Sequence, residues 1–152
     1  MKIAQQKVVR KFPENFTSRD LLSYWLKLWG TEASYSSFGG GKELSVLKSL
    51  LESYDVYTIL LAMVKAKKKG SQISILTLAD YFDEFAPDTK FTKLSFYIGE
   101  YGDEKAKKIL NELIIIEYKW LPSASDRQKA KELVEQLETW IEIHVKSKSV
   151  AI

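Results

Sequence analysis

Cysteine is absent from the sequence, which excludes a disulfide framework, a thiolate nucleophile and any cysteine metal site. A reducing compartment, such as a cytoplasm, fits that absence best. Histidine occurs once, at His144, so neither a Ser–His–Asp nor a Cys–His arrangement has sequence support. No apolar run approaches the length of a membrane span, and the opening residues lack the apolar core of a signal peptide. Internal repeats and low-complexity tracts are missing too. Net charge is only +3, which permits an anionic partner without demanding one.

What is present is ordinary for a globular protein: 45% apolar and 28% charged residues over 152 positions. That length suggests one domain with a real core, expected here over residues 1–146, with 147–152 as a frayed tail. Charge is uneven. Residues 1–12 hold four cations and no acid, and residues 38–70 hold six lysines against three acids. Residues 71–102 carry five acids against two lysines, and the last fifty residues balance. An electrostatic footprint is therefore expected on the basic arm, 1–12, and at the end of the central helical pair.

Along the chain the pattern is mainly helical. Thr17 with Asp20 forms a short capping-box signal before Leu21, Leu22, Trp25, Leu28 and Trp29, which recur at helical spacing. Gly30 offers a stop. After a small-residue loop, Leu44, Leu47, Leu50, Leu51 and Tyr54 mark one helix face. Asp55 caps the next helix, whose inner side is Val56, Ile59, Leu60, Met63 and Val64. Ile73 and Ile75 permit a very short strand. A helix from Leu78 to Phe85 is expected to stop before Pro87, with another turn or two between Phe91 and Tyr101. Asp103 caps a helix through Leu113. Residues 114–118 either continue it or form a strand, because β-branched runs favour strands. Ser123 or Ser125 caps a last helix whose buried face is Ala130, Leu133, Val134, Leu137, Trp140 and Ile141, with Glu132, Glu135, Glu138 and Glu142 on its acidic side. The expectation is one compact domain of six or seven helices, with a short β element allowed.

Four constellations carry candidate chemistry. Gly39-Gly40-Gly41-Lys42 before a helix invites a phosphate-loop reading, but Ser36 stands where the first glycine belongs and Glu43 where a magnesium-binding Ser or Thr belongs. A flexible turn with backbone and Lys42 contacts to phosphate is the remaining functional reading. Lys65, Lys68 and Lys69 project away from the Leu60/Val64 face; cations at a helix C-terminus also complement its dipole. Asp80, Asp83 and Glu84 share one side of a helix by spacing, a solvated acidic face rather than a metal site. Leu76–Phe85 followed by Asp103–Leu113 and a wing at 114–120 gives a winged-helix alternative.

The stretch Tyr35–Phe85 resembles the helical module of phage and mobile-element replication-accessory proteins, the DnaD-like group. The resemblance is carried by Phe38-Gly39-Gly40-Gly41-Lys42-Glu43-Leu44, Leu50-Leu51-Glu52-Ser53-Tyr54-Asp55 and Ile73-Ser74, and it covers about a third of the chain. The glycine triplet and residues 86–152 have no counterpart in that group. The resemblance implies DNA binding, or recruitment of a replication protein, in a host cytoplasm. The reading is therefore a nonenzymatic nucleic-acid-binding accessory protein without cofactor, metal or membrane contact. Arg10, Lys11, Lys42, Lys65, Lys68 and Lys69 would neutralise phosphates, and Tyr35 and Phe38 would stack on bases. The alternative is a helical protein-interaction adaptor or inhibitor that docks through Trp25, Trp29 or the acidic face at Asp83.

Overall fold

The computed structural model describes residues 11–30, 41–70 and 73–146, and it is mainly α. After a 3-10 turn at Pro13–Asn15 come α1 (Ser18–Trp29), α2 (Gly41–Ser53), α3 (Val56–Lys68), α4 (Ile75–Asp80), α5 (Phe82–Phe85), α6 (Thr92–Tyr101), α7 (Glu104–Glu117) and α8 (Ala124–His144). Among the described residues there are thus eight helices, and no strand. The basic arm before Lys11, the loop carrying Tyr35 and Phe38, and the tail after Lys146 lie outside them. Contacts divide the chain into two compact units, Lys11–Asp88 and a second that includes Thr89–Ile152.

In the Lys11–Asp88 unit the boundaries follow local chemistry. Thr17 and Asp20 form a complete capping box: the Thr17 N–H donates to Asp20 Oδ2 at 2.8 Å, and the Asp20 N–H donates to Thr17 Oγ1 at 3.4 Å. Each bond satisfies an amide that the first helical turn leaves open. Gly30 ends α1 at φ 57°, a left-handed conformation that favours glycine. Asp55 caps α3 by accepting from the Tyr57 and Thr58 amides at 2.7 and 3.0 Å. Leu21, Trp25, Leu47, Ile59, Leu60, Met63, Ile75 and Leu78 are fully buried. Through them α1 packs on α2 and α3, α2 on α4, and α3 on α5.

Two expectations in this unit are corrected. Ile75 belongs to α4, not to a strand, because Ser74 accepts from the Thr77 amide at 3.1 Å and opens a helix there. The helix expected through Phe85 breaks at Tyr81, whose φ −117° and ψ 31° leave the helical region. Asp80 ends α4 while Asp83 and Glu84 lie in α5, so the three acids do not share one helix face.

In the second unit, Ala106, Leu110 and Leu113 of α7 and Leu133, Leu137 and Ile141 of α8 are buried stripes at helical spacing. Both helices pack on each other and on α6. The β-branched run Ile114–Ile116 stays in α7. Leu113 is buried in the same register as Leu110, and a strand would carry that side chain off its stripe. Tertiary packing therefore overrides the strand preference, and the wing of the winged-helix alternative is lost. Ser123, not Ser125, caps α8, with Asp126 completing a capping box.

Candidate functional site

The tryptophans expected on a partner surface are core residues. Trp25 is fully buried and Trp29 nearly so, with ring centroids 5.5 Å apart. Their positions on α1 continue the Leu21/Leu22 face that meets α2 and α3, so neither indole is available to a partner. Asp83 is exposed and accepts from the Tyr54 hydroxyl at 3.4 Å. A shallow groove of about 350 Å³ lies beside it, lined by Tyr54, Asp80, Tyr81, Asp83 and Glu84 among others.

Of the residues expected to meet nucleic acid, Arg10, Tyr35 and Phe38 lie outside the described residues. Lys11 is engaged with Asp20 at 2.6 Å. That bond, with the Thr17 backbone amide, holds the Asp20 carboxyl below its ordinary value. Lys42 is exposed on the first turn of α2, beside the buried Glu43. At the end of α3, Lys65 is half-buried while Lys68 and Lys69 are exposed. Lys67 Nζ sits 4.5 Å from the Trp29 ring and Lys69 Nζ 5.0 Å from the Phe85 ring. Those rings are the last residues of α1 and α5. The lysine run therefore gathers where helix C-termini end, and part of its charge is spent on their dipoles and rings.

Among the described residues the most exposed apolar surface lies elsewhere, at the turn from α7 to α8. Trp120 is 92% exposed and Leu121 82%, with Ile115 on the last turn of α7 and Tyr118 just past its end each at 63%. The turn is braced from below. Lys119 Nζ donates to Asp126 Oδ1 at 2.9 Å, and the Ser123 N–H donates to Asp126 Oδ2 at 3.0 Å. The Asp126 N–H returns to Ser123 Oγ at 3.0 Å. One carboxylate thus ties down both flanks of Trp120-Leu121-Pro122. The Lys119 bond first, and the Ser123 amide second, pull the Asp126 carboxyl down to about 2. Glu117 fixes the other side, accepting from the Thr89 hydroxyl at 2.6 Å and the Lys90 amide at 2.7 Å.

At the opposite end of the same hairpin is a groove of about 560 Å³ whose apolar floor is Ile109, Trp140 and Ile143. Trp140 stacks on His144 at 4.7 Å between ring centroids, and Ile143 is 57% exposed. Glu132 and Glu135 stand on the rim. The groove pairs the start of α7 with the end of α8, while Leu113, Ile116, Pro122 and Ala130 meet around a smaller cavity near the turn. The two helices therefore run antiparallel, with tip and groove at opposite ends. Among the described residues no cluster of three or more acidic, histidine or cysteine side chains is arranged to hold a metal ion. No described helix is long and apolar enough to cross a membrane.

The exposed tip is legible in part from local pattern. Ile115 is about 200° around the helix from Leu113, outside the stripe that includes Leu110 and Ala106, and Trp120-Leu121 directly precedes Pro122 in a turn. Large apolar side chains in a turn have no helix face to occupy. Comparison with known protein families, with characterised proteins and with solved structures finds no match to this chain.

Proposed function

We propose that this chain is a protein-interaction module whose docking element is the α7–α8 turn. The observation that carries the reading is the exposure of Trp120 and Leu121, at 92% and 82%, on a turn clamped by Asp126. Burial against a partner removes exposed apolar surface from water, and a turn already held by hydrogen bonds has less ordering entropy left to lose. Tryptophan is also enriched among residues that dominate binding energy. A photo-crosslinking residue at position 120 in the intact protein, followed by reconstitution of the captured complex from purified components, tests this. Binding should fall at least about tenfold in Trp120→Ala/Leu121→Ser, while the melting temperature stays within about 2 °C. Undiminished binding by that variant refutes the reading.

A second reading keeps nucleic acid as the ligand, and the DnaD-like resemblance with it. It is favoured by the exposure of Lys42, Lys68 and Lys69, with Arg10, Lys11, Lys65, Tyr35 and Phe38 as the wider candidate set. Single- and double-stranded DNA titrated at about 50 and about 200 mM salt tests it. Salt-sensitive binding weakened by Lys65/Lys68/Lys69→Glu supports a phosphate surface, and absence of binding at the lower salt rejects it.

A further inference from the structure

We infer that the partner of the α7–α8 tip is a second copy of this chain, docked head to tail into the groove of Ile109, Trp140 and Ile143. This rests on the docking role proposed for the tip. Three features of the hairpin carry it.

The first is charge. The tip half of the hairpin, Ile109 to Lys131, carries Lys119, Arg127, Lys129 and Lys131 against Glu112, Glu117 and Asp126, a net +1. From Glu132 to Lys146 the groove end carries four glutamates against Lys146, which pairs with Glu142 at 3.8 Å, a net −3. The facing start of α7, Asp103 to Lys108, returns only one positive charge, three lysines against two acids. The hairpin is therefore weakly basic in its tip half and acidic at its groove. Two copies side by side in the same orientation repel, whereas tip against groove attracts.

The second is shape. The groove, at about 560 Å³, is broad and open to solvent, a form that admits a protruding side chain of another chain rather than enclosing a small ligand. It offers an aromatic and aliphatic floor to a knob of one indole and one isobutyl group. The third is reach. From Ile109 of the groove to the end of α7 at Glu117 is about 12 Å, and Trp120 beyond it is 92% exposed, so the tip does not occupy the groove of its own hairpin.

The contact is heterologous: the two surfaces differ, so each copy keeps one unused tip or groove. Four exposed side chains present less than the ~800 Å² per partner of a standard interface. Affinity is accordingly expected in the range of roughly 10–100 µM.

Sedimentation velocity of the full chain from about 1 to about 500 µM reads this directly. The weight-average sedimentation coefficient of the wild type should rise with concentration, and less so as salt is added. Trp120→Ala/Leu121→Ser should remove the tip, and Ile143→Asp, at a side chain already exposed, should remove the groove. Each variant alone should stay monomeric with an unchanged circular dichroism spectrum. Mixed in equal amounts they should form a dimer and nothing larger, since one intact tip then meets one intact groove. Failure of the mixture to associate would overturn the head-to-tail contact, and self-association of Ile143→Asp alone would overturn it in favour of a symmetric tip-to-tip one. A wild type that is monomeric at the highest concentration would also overturn it. If position 120 then still crosslinks to a different protein, the docking reading stands without the second copy. If it crosslinks to nothing, both fall.

Discussion

Replacing Trp25 by alanine should destabilise the Lys11–Asp88 unit by about 3–5 kcal/mol. The side chain is fully buried and lies 5.5 Å from the Trp29 ring. An indole removes roughly 150–250 Å² from water, worth about 4–6 kcal/mol at ~25 cal/mol per Å². Residual compactness of the unfolded chain lowers that by roughly 10–40%, which brings it into the range measured for large-to-small core changes. Urea unfolding followed by circular dichroism is the assay. With a slope of about 2 kcal/mol per molar, the midpoint should fall by about 2 M. Trp120→Ala removes the same side chain from a site 92% exposed, so its midpoint should move by no more than about 0.3 M. A Trp25→Ala midpoint within about 0.5 M of wild type would refute the burial argument, and the indole would return to candidacy as a binding group.

Two further predictions concern local devices. The Asp126 carboxyl is lowered to about 2 from an ordinary 3.8, chiefly by Lys119; its stabilising effect is complete above the unfolded value and disappears as pH falls through the folded one. The turn should therefore keep its brace at pH 4 and lose it on approach to pH 2, read as the midpoint of the Asp126 carboxyl resonance; a midpoint at its ordinary value would show that the brace is not formed. At Gly102 an added Cβ would lie 2.4 Å from the Ile98 carbonyl oxygen and 2.7 Å from its Cγ2. Gly102→Ala should cost about 1–3 kcal/mol, and an unchanged thermal melt would disprove the close approach.

Much of the helical layout is legible in the order of residues alone. Thr17, Asp55, Asp103 and Ser123 sit where their oxygens accept amides of the first turn, and this is short-range chemistry visible within four residues. The centres of the apolar stripes are legible from spacing, at Ile59, Leu60 and Met63 of α3 and at Leu133, Leu137 and Ile141 of α8, whereas Val56, Val64 and Trp140 are only half-buried and Tyr57, Ala62 and Ala66 join the α3 core. Local pattern misleads where a neighbour decides. The helical state of Ile114–Ile116 depends on the packing of α7, and local preference there points the wrong way; nothing in the structure explains the break at the exposed Tyr81.

The candidate site divides in the same way. The sequence by itself determined that the chain is helical, where the helices start, and how charge is distributed along them, because periodicity, capping and charge are properties of consecutive residues. It also supplied the lysines of α3. Tertiary structure decided which tryptophans are core and which are surface, because identical indoles are sorted only by the faces their neighbours cover. It turned the expected partner residues Trp25 and Trp29 inward and left Trp120 and Leu121 outside. It also placed a basic tip and an acidic groove at opposite ends of one hairpin, an arrangement that exists only once α7 and α8 are folded against each other.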